Sequence, residues 1–238
     1  MLRTLIRPAR AHPMTAADTS PPTHAKQEIQ TPQAKAQKHN AKRTDTLPTL
    51  EKLAALYPPL FGAVFLPLKR GIFQDLQLAH PESFDKDALK AALSMHTRST
   101  RYLNAVASGQ QRHDLAGLAV EAMAPEHVHH ALLEVFRRRQ TRTADDLKPR
   151  LLMNIVQAFD ASELSIEGYT ERTRTRDDAA NALLDEAMAL VKAQSAKGEA
   201  LLRAFVASGL SESAFADMYG MEPMATARTL ERARAAQA

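Results

Sequence analysis

The sequence contains no cysteine. A disulfide framework, a Cys-based zinc site and thiol catalysis are therefore excluded, and a reducing compartment, the cytoplasm, is the expected location. Glycine is scarce, with 8 in 238 residues, while alanine is abundant, which favours helices over an extensive sheet. No apolar run approaches the roughly 20 residues a membrane span needs, so no membrane partner is expected. The first residues, "MLRTLIRPARAHPMTAADTS", carry arginine and no early acid, as presequences do. They lack the continuous apolar core of roughly 7–15 residues of a secretory signal, and Met14 offers a second candidate start. A glycine-rich phosphate loop and a Ser/His/Asp pattern are also missing. Neither an enzymatic activity nor a cofactor is expected.

Apolar residues make up 45% of the chain, enough for a packed core. The length holds one generous domain or two small ones. The formal net charge of +4 permits an anionic partner without demanding one. Residues 15–46 are rich in Pro, Thr, Gln, Ala and Lys. They cannot bury enough apolar surface to offset the entropy of ordering. Residues 1–46 are thus expected to form a disordered basic tail. Its late cations, Lys35, Lys38, Lys42 and Arg43, read either as a solvated tail or as an arm that raises nonspecific affinity for a polyanion.

From Leu47 the periodicity is helical. "LPTLEKLAALYPPLF" places Leu50, Leu53, Ala54 and Tyr57 on one face, with Pro58-Pro59 as a stop. Pro67 suits the first turn of a second helix to about Leu78, with Leu68, Ile72, Phe73 and Leu76 inward. Asp85 suits the N-cap of a third helix. A fourth carries Tyr102, Leu103 and Val106 and ends at Gly109. In "QRHDLAGLAVEAM", Leu115, Leu118 and Val120 around Gly117 suggest short strands about a glycine turn. Pro125 then opens a helix that ends in Arg137, Arg138, Arg139 and Arg142, cations favoured at a helix C-terminus. Beyond Leu147 only helices are expected: "RLLMNIVQAF", then the polar "ERTRTRDD", "ALLDEAMALV", "EALLRAFVASG" ending at Gly209, and two short helices about a Gly-Met-Glu-Pro turn. The expected fold class is mainly α with a small β-hairpin, followed by an all-α C-terminal region. The expected divisions are 1–46, 47–142 and 143–238.

The stretch "PLKRGIFQDL", Pro67–Leu76, is unusual for a core helix. Lys69 and Arg70 must point away from an apolar stripe of Leu68, Ile72 and Leu76, and Gly71 costs roughly 1 kcal/mol against Ala inside a helix. Close approach by another backbone is the purpose expected of that glycine. Taken alone, this is a helix with a solvated basic face. Downstream, "HTRSTRYL" sets Thr97 and Ser99 at a helix start with Arg101 and Tyr102 in the first turns. Unpaired N–H groups there form an anion site that a hydroxyl can assist. "GQQRHDLAG" adds Arg112 and Asp114 on a strand. These are groups suited to holding a phosphate backbone and stacking a terminal base. His127 and His130 lie three apart, but without cysteine or a convergent carboxylate set no metal is expected.

Taken in order, "PLKRGIFQDL", "ALKAALSMHTRSTRYLNAV", "GQQRHDLAG" and "EHVHHA" resemble the ProQ/FinO domain family of bacterial RNA chaperones, over about Leu47 to Arg142. The resemblance implies a FinO-like α+β domain whose concave face grips the 3′ end of structured RNA, the base of a terminator hairpin with a short U-rich tail. It implies post-transcriptional regulation through small RNAs and mRNA 3′ ends. Lys69 stands where the family's "PLK" lysine contacts RNA, with Arg70 beside it. Tyr102 and Arg112 match the pocket residues. Lys86 and Lys90 match positions along the duplex, and Thr97 and Ser99 match the hydroxyl-rich helix start at the 3′-terminal nucleotide. Asp114 matches a residue that orients Arg112. The chain departs from the family at His96, where tyrosine is common, and in the short loop before "PLK". The alternative is a DNA-binding regulator using the helix-turn-helix-like pair from Ser211 to Ala233. The oligomeric state is not legible.

Overall fold

Leu53, Leu60, Leu76 and Leu89 are fully buried in one cluster, and each comes from a different helix. The computed structural model describes residues 46–236, so the expected tail with Lys35, Lys38, Lys42 and Arg43 lies outside the described residues. Helix α1 (Leu47–Leu56) carries Leu53 inward, as its spacing requires. Pro58-Pro59 ends it but also opens a four-residue helix, α2 (Pro58–Phe61), because proline suits a first helical turn. Helices α3 (Ile72–Ala79), α4 (Lys86–Thr97) and α5 (Thr100–Ala107) complete this first layer. Asp85 caps α4 by accepting from the Ala88 N–H at 2.8 Å.

Pro67 does not begin a helix. Leu68 instead forms a parallel bridge with His113. The Lys69 N–H donates to the His113 carbonyl at 2.8 Å, and the His113 N–H donates to the Pro67 carbonyl at 2.7 Å. Backbone donors and acceptors that an adjacent strand can satisfy outweigh a local preference for a helical turn. Helix α3 therefore starts five residues late, at Ile72, behind Gly71 with φ 85°. A Cβ on Gly71 would meet nothing closer than 3.9 Å. The glycine answers a left-handed backbone, not the close approach expected of it.

The expected hairpin is present. Strand β1 (Arg112–His113) pairs antiparallel with β2 (Ala119–Glu121) around Gly117, whose φ is 77°. Its register is irregular: His113 faces Ala119, but Arg112 faces Glu121. One extra residue, Val120, is thus accommodated as a bulge.

Helix α6 (Pro125–Gln140) packs on α5 and joins the first cluster to a second. Val128, Leu132 and Leu133 of α6 are buried with Leu151, Leu152, Ile155 and Val156 of α7 (Lys148–Asp160). Tyr169, from α8 (Ile166–Thr173), and Leu184, from α9 (Asp178–Ser208), complete that cluster. Helix α8 was not expected from the polar stretch around it. Its signals are local: Ser165 caps it through the Gly168 N–H at 3.1 Å, and one fully buried tyrosine anchors it. Helix α9 runs unbroken for 31 residues from the Asp177 cap to Gly209. Its far half forms a small third cluster with Leu230 and Ala233 of α11 (Pro223–Ala235), beside α10 (Glu212–Met218). No helix among the described residues is long and apolar enough to cross a membrane.

Two histidines are buried without polar satisfaction. His96 Nε2 and His129 Nδ1 have no hydrogen-bond partner, and the residues are 4% and 2% exposed. Burial lowers both to about 4. The neutral imidazole is the folded form, so the unfolded chain binds more protons below an unfolded value near 6.5. Stability is complete above about pH 6.5 and falls as pH drops towards about 4, by on the order of 3 kcal/mol per histidine. A series of thermal melts between pH 7.5 and 4.5 tests this. His129→Phe is expected to flatten the decline, and an unchanged pH slope would contradict the assignment.

Candidate nucleic-acid interface

The peptide unit of Leu68 is held from both sides. Its N–H donates to the Tyr102 hydroxyl at 3.0 Å, and its carbonyl accepts from Arg112 Nη1 at 2.9 Å. Helix α5 and strand β1 thus fix the extended segment in which the next two residues are Lys69 and Arg70. The clamp depends on Tyr102 being buried, at 6% exposure. Burial raises its phenol above the usual range, keeping it protonated. The ring lies among core residues. Tyr102 holds the "PLK" segment through the Leu68 N–H.

Each cation here meets a carboxylate. Lys69 Nζ lies 2.8 Å from Asp75 Oδ2, both partly exposed. The hydrogen bond to Asp75 raises the lysine above its ordinary value. Arg70 donates to Glu121 from its backbone N–H at 3.1 Å and from Nε at 3.0 Å. Arg112 Nε lies 3.7 Å from the same carboxyl group. The Arg70 backbone N–H, followed by its guanidinium, holds Glu121 below the usual carboxylate range. Glu121 therefore sits between two cations.

Of the residues expected to share one site, the structure brings Lys69, Arg70, Tyr102 and Arg112 together. Asp114 does not orient Arg112. Its Oδ1 accepts from the Ala116 and Leu118 N–H groups at 2.9 and 3.0 Å and closes the hairpin turn. Thr97 ends α4 instead of starting α5, and its hydroxyl donates to the Leu93 carbonyl at 2.8 Å. Ser99 is at the helix start, but its hydroxyl caps α5 by accepting from the Tyr102 N–H at 3.2 Å. Arg101 is exposed, lies over the Phe65 ring at 4.7 Å and donates to the Ala63 carbonyl. Lys86 and Lys90 lie exposed one turn apart on α4, and no bond joins them to the Lys69–Arg112 group. His96, the departure from the family, packs against Phe61 and Phe65 with ring centroids 4.7 and 4.3 Å away. Glu121 was not anticipated. A regular hairpin would set Arg112 opposite Val120, and only the bulge brings the carboxylate there.

The class of protein is thus a mainly helical domain with an arginine- and lysine-bearing edge beside a two-stranded hairpin. Residues 43–148 match the ProQ/FINO family, and the chain belongs to that family. An RNA chaperone ProQ from Aeromonas hydrophila is 37% identical over 118 residues, covering 43% of this chain and 56% of that one. One from Shewanella pealeana is 43% identical over 94 residues, covering 38% and 44%. This chain spans about half the length of these curated relatives. A FinO-like RNA chaperone of Neisseria meningitidis, known from its crystal structure, is 30% identical, with 48% of this chain and 97% of that one covered and a TM-score of 0.37.

Proposed function

We propose that this protein is a cytoplasmic RNA-binding chaperone. It holds structured RNAs, small regulatory RNAs and mRNA 3′ ends, at a terminator-type hairpin with a single-stranded 3′ tail, and promotes their pairing. The supporting observation is the convergence of Lys69, Arg70 and Arg112, drawn from two separate motifs, on one edge fixed by the Leu68 clamp. The relatives being named RNA chaperones agrees with this reading. The role is electrostatic and geometric: phosphates supply affinity, and A-form shape and the tail supply selectivity. Lys86, Lys90 and Arg101 extend the phosphate-contacting surface, while Ser99, Thr97 and Asp114 shape it. RNA binding requires displacement of Asp75 and Glu121 from their cations.

A competition titration tests this. A tailed RNA hairpin is expected to displace a labelled copy of itself far better than a DNA duplex of equal charge. Arg112→Ala removes a charge-assisted contact and should weaken the hairpin by roughly ten- to a hundredfold. Glu121→Gln removes a competing charge and should strengthen it by about fivefold. Preferred binding of the DNA duplex would instead support a regulator acting through α10 and α11.

A further inference from the structure

The C-terminal half of α6 carries a second group of cations, on the other side of α5 from the Leu68 clamp. Arg138 Nη1 donates to the Arg98 carbonyl at 2.8 Å and to Thr100 Oγ1 at 3.2 Å. Arg139 Nη2 donates to Asn104 Oδ1 at 3.1 Å. Thr100 and Asn104 stand two residues before and after Tyr102, about 200° around the helix. Arg138 and Arg139 therefore approach α5 from the side opposite to that on which Tyr102 meets Leu68. Arg142 lies exposed in the turn just beyond α6, its N–H donating to the Arg139 carbonyl at 2.9 Å. Exposed Arg98, whose carbonyl accepts from Arg138, continues the stripe at the α4–α5 junction.

Little negative charge opposes these side chains. Glu134 and Asp177 both bond Arg137, and Glu134 also lies 3.8 Å from Arg138. Among the described residues, Arg98, Arg139 and Arg142 form no ion pair. Residues 46–238 hold 23 Lys and Arg against 24 Asp and Glu. The stripe is therefore a segregation of charge in a body that is close to neutral. A helix C-terminus favours cations in its last turn, which accounts for part of the run in α6 but not for Arg98 beside it.

We infer that this stripe is a second RNA-backbone surface, which holds a second strand while the Lys69–Arg112 edge holds the first. The inference rests on the RNA-binding reading above. A surface of arginines of which only Arg138 lies near a carboxylate reads phosphates and no sequence. That is what a protein needs in order to bring unrelated RNAs together, since repulsion between two phosphate backbones is what slows their pairing.

The test uses the full chain with Arg98→Glu and Arg142→Glu combined. Both side chains are exposed and neither holds an ion pair, and circular dichroism checks that the fold persists. Two measurements are made on wild type and variant: affinity for a tailed hairpin, and the rate at which two complementary RNAs anneal. The expected result is hairpin affinity within about twofold of wild type and annealing slowed by about tenfold or more, as the loss of phosphate contacts requires. Unchanged annealing, or a loss of annealing that only tracks a loss of hairpin affinity, would overturn the second surface. So would a wild-type protein that binds the hairpin but does not accelerate annealing. A wild-type protein that binds no RNA would overturn the RNA-binding reading itself.

Discussion

Replacing Tyr102 with alanine is expected to destabilise the protein by on the order of 3–5 kcal/mol, because a fully packed aromatic leaves a cavity among Leu68, His96 and their neighbours. That loss would obscure any effect on binding. Tyr102→Phe is the informative variant. It keeps the ring and removes only the acceptor for the Leu68 N–H. A buried donor left unpaired costs about 1–3 kcal/mol, so the variant should fold and melt somewhat lower. Its larger expected effect is on RNA. With one side of the Leu68 clamp gone, Lys69 and Arg70 lose their fixed placement next to Arg112. Hairpin affinity should then fall although no cation has been removed. Titration at two salt concentrations separates the two roles. Lost placement lowers affinity with a nearly unchanged salt slope, since the number of available cations is the same. If Tyr102→Phe binds like wild type while Tyr102→Ala in a folded background loses only tail recognition, the tyrosine is a stacking platform and the positioning role is wrong.

Cutting the chain after residue 142 is expected to have the second large effect. Val128, Leu132 and Leu133 are buried against Leu151, Ile155, Tyr169 and Leu184, and the cut removes every one of those partners. Burying such a side chain contributes about 1.5–3 kcal/mol. A fragment of residues 46–142 should therefore melt far lower than the full chain and self-associate through the bared face of α6. A fragment of residues 46–192 retains both larger clusters and loses only the small one around Leu202 and Leu230. It should stay monodisperse and bind the tailed hairpin. Thermal unfolding and size-exclusion chromatography of the two fragments decide the matter. A 46–142 fragment that melts within a few degrees of the 46–192 fragment would show that the second cluster supports α6 very little.

Several features follow from local chemistry alone and were legible without coordinates. The helices capped by Asp85 and Ser99 are among them, because the capping oxygen and the N–H it serves lie within three residues of each other. So is the hairpin, since Gly117 supplies the positive φ that its turn requires. The end of α9 at Gly209 has the same origin. The order of four motifs was enough to indicate the family. What the sequence could not show depends on partners distant in the chain. Pro67–Arg70 reads as the start of a helix until His113, more than forty residues on, supplies backbone partners. The burial of Tyr102 is not local either, since Leu68, 34 residues away, takes its hydroxyl and the first cluster encloses its ring. Glu121 reads as an ordinary strand residue until a one-residue bulge turns it onto Arg112 and Arg70. Caps and turns are settled by neighbours in sequence. Which cation faces which carboxylate is settled only when non-adjacent segments close on each other, and that closure was the work of the tertiary structure.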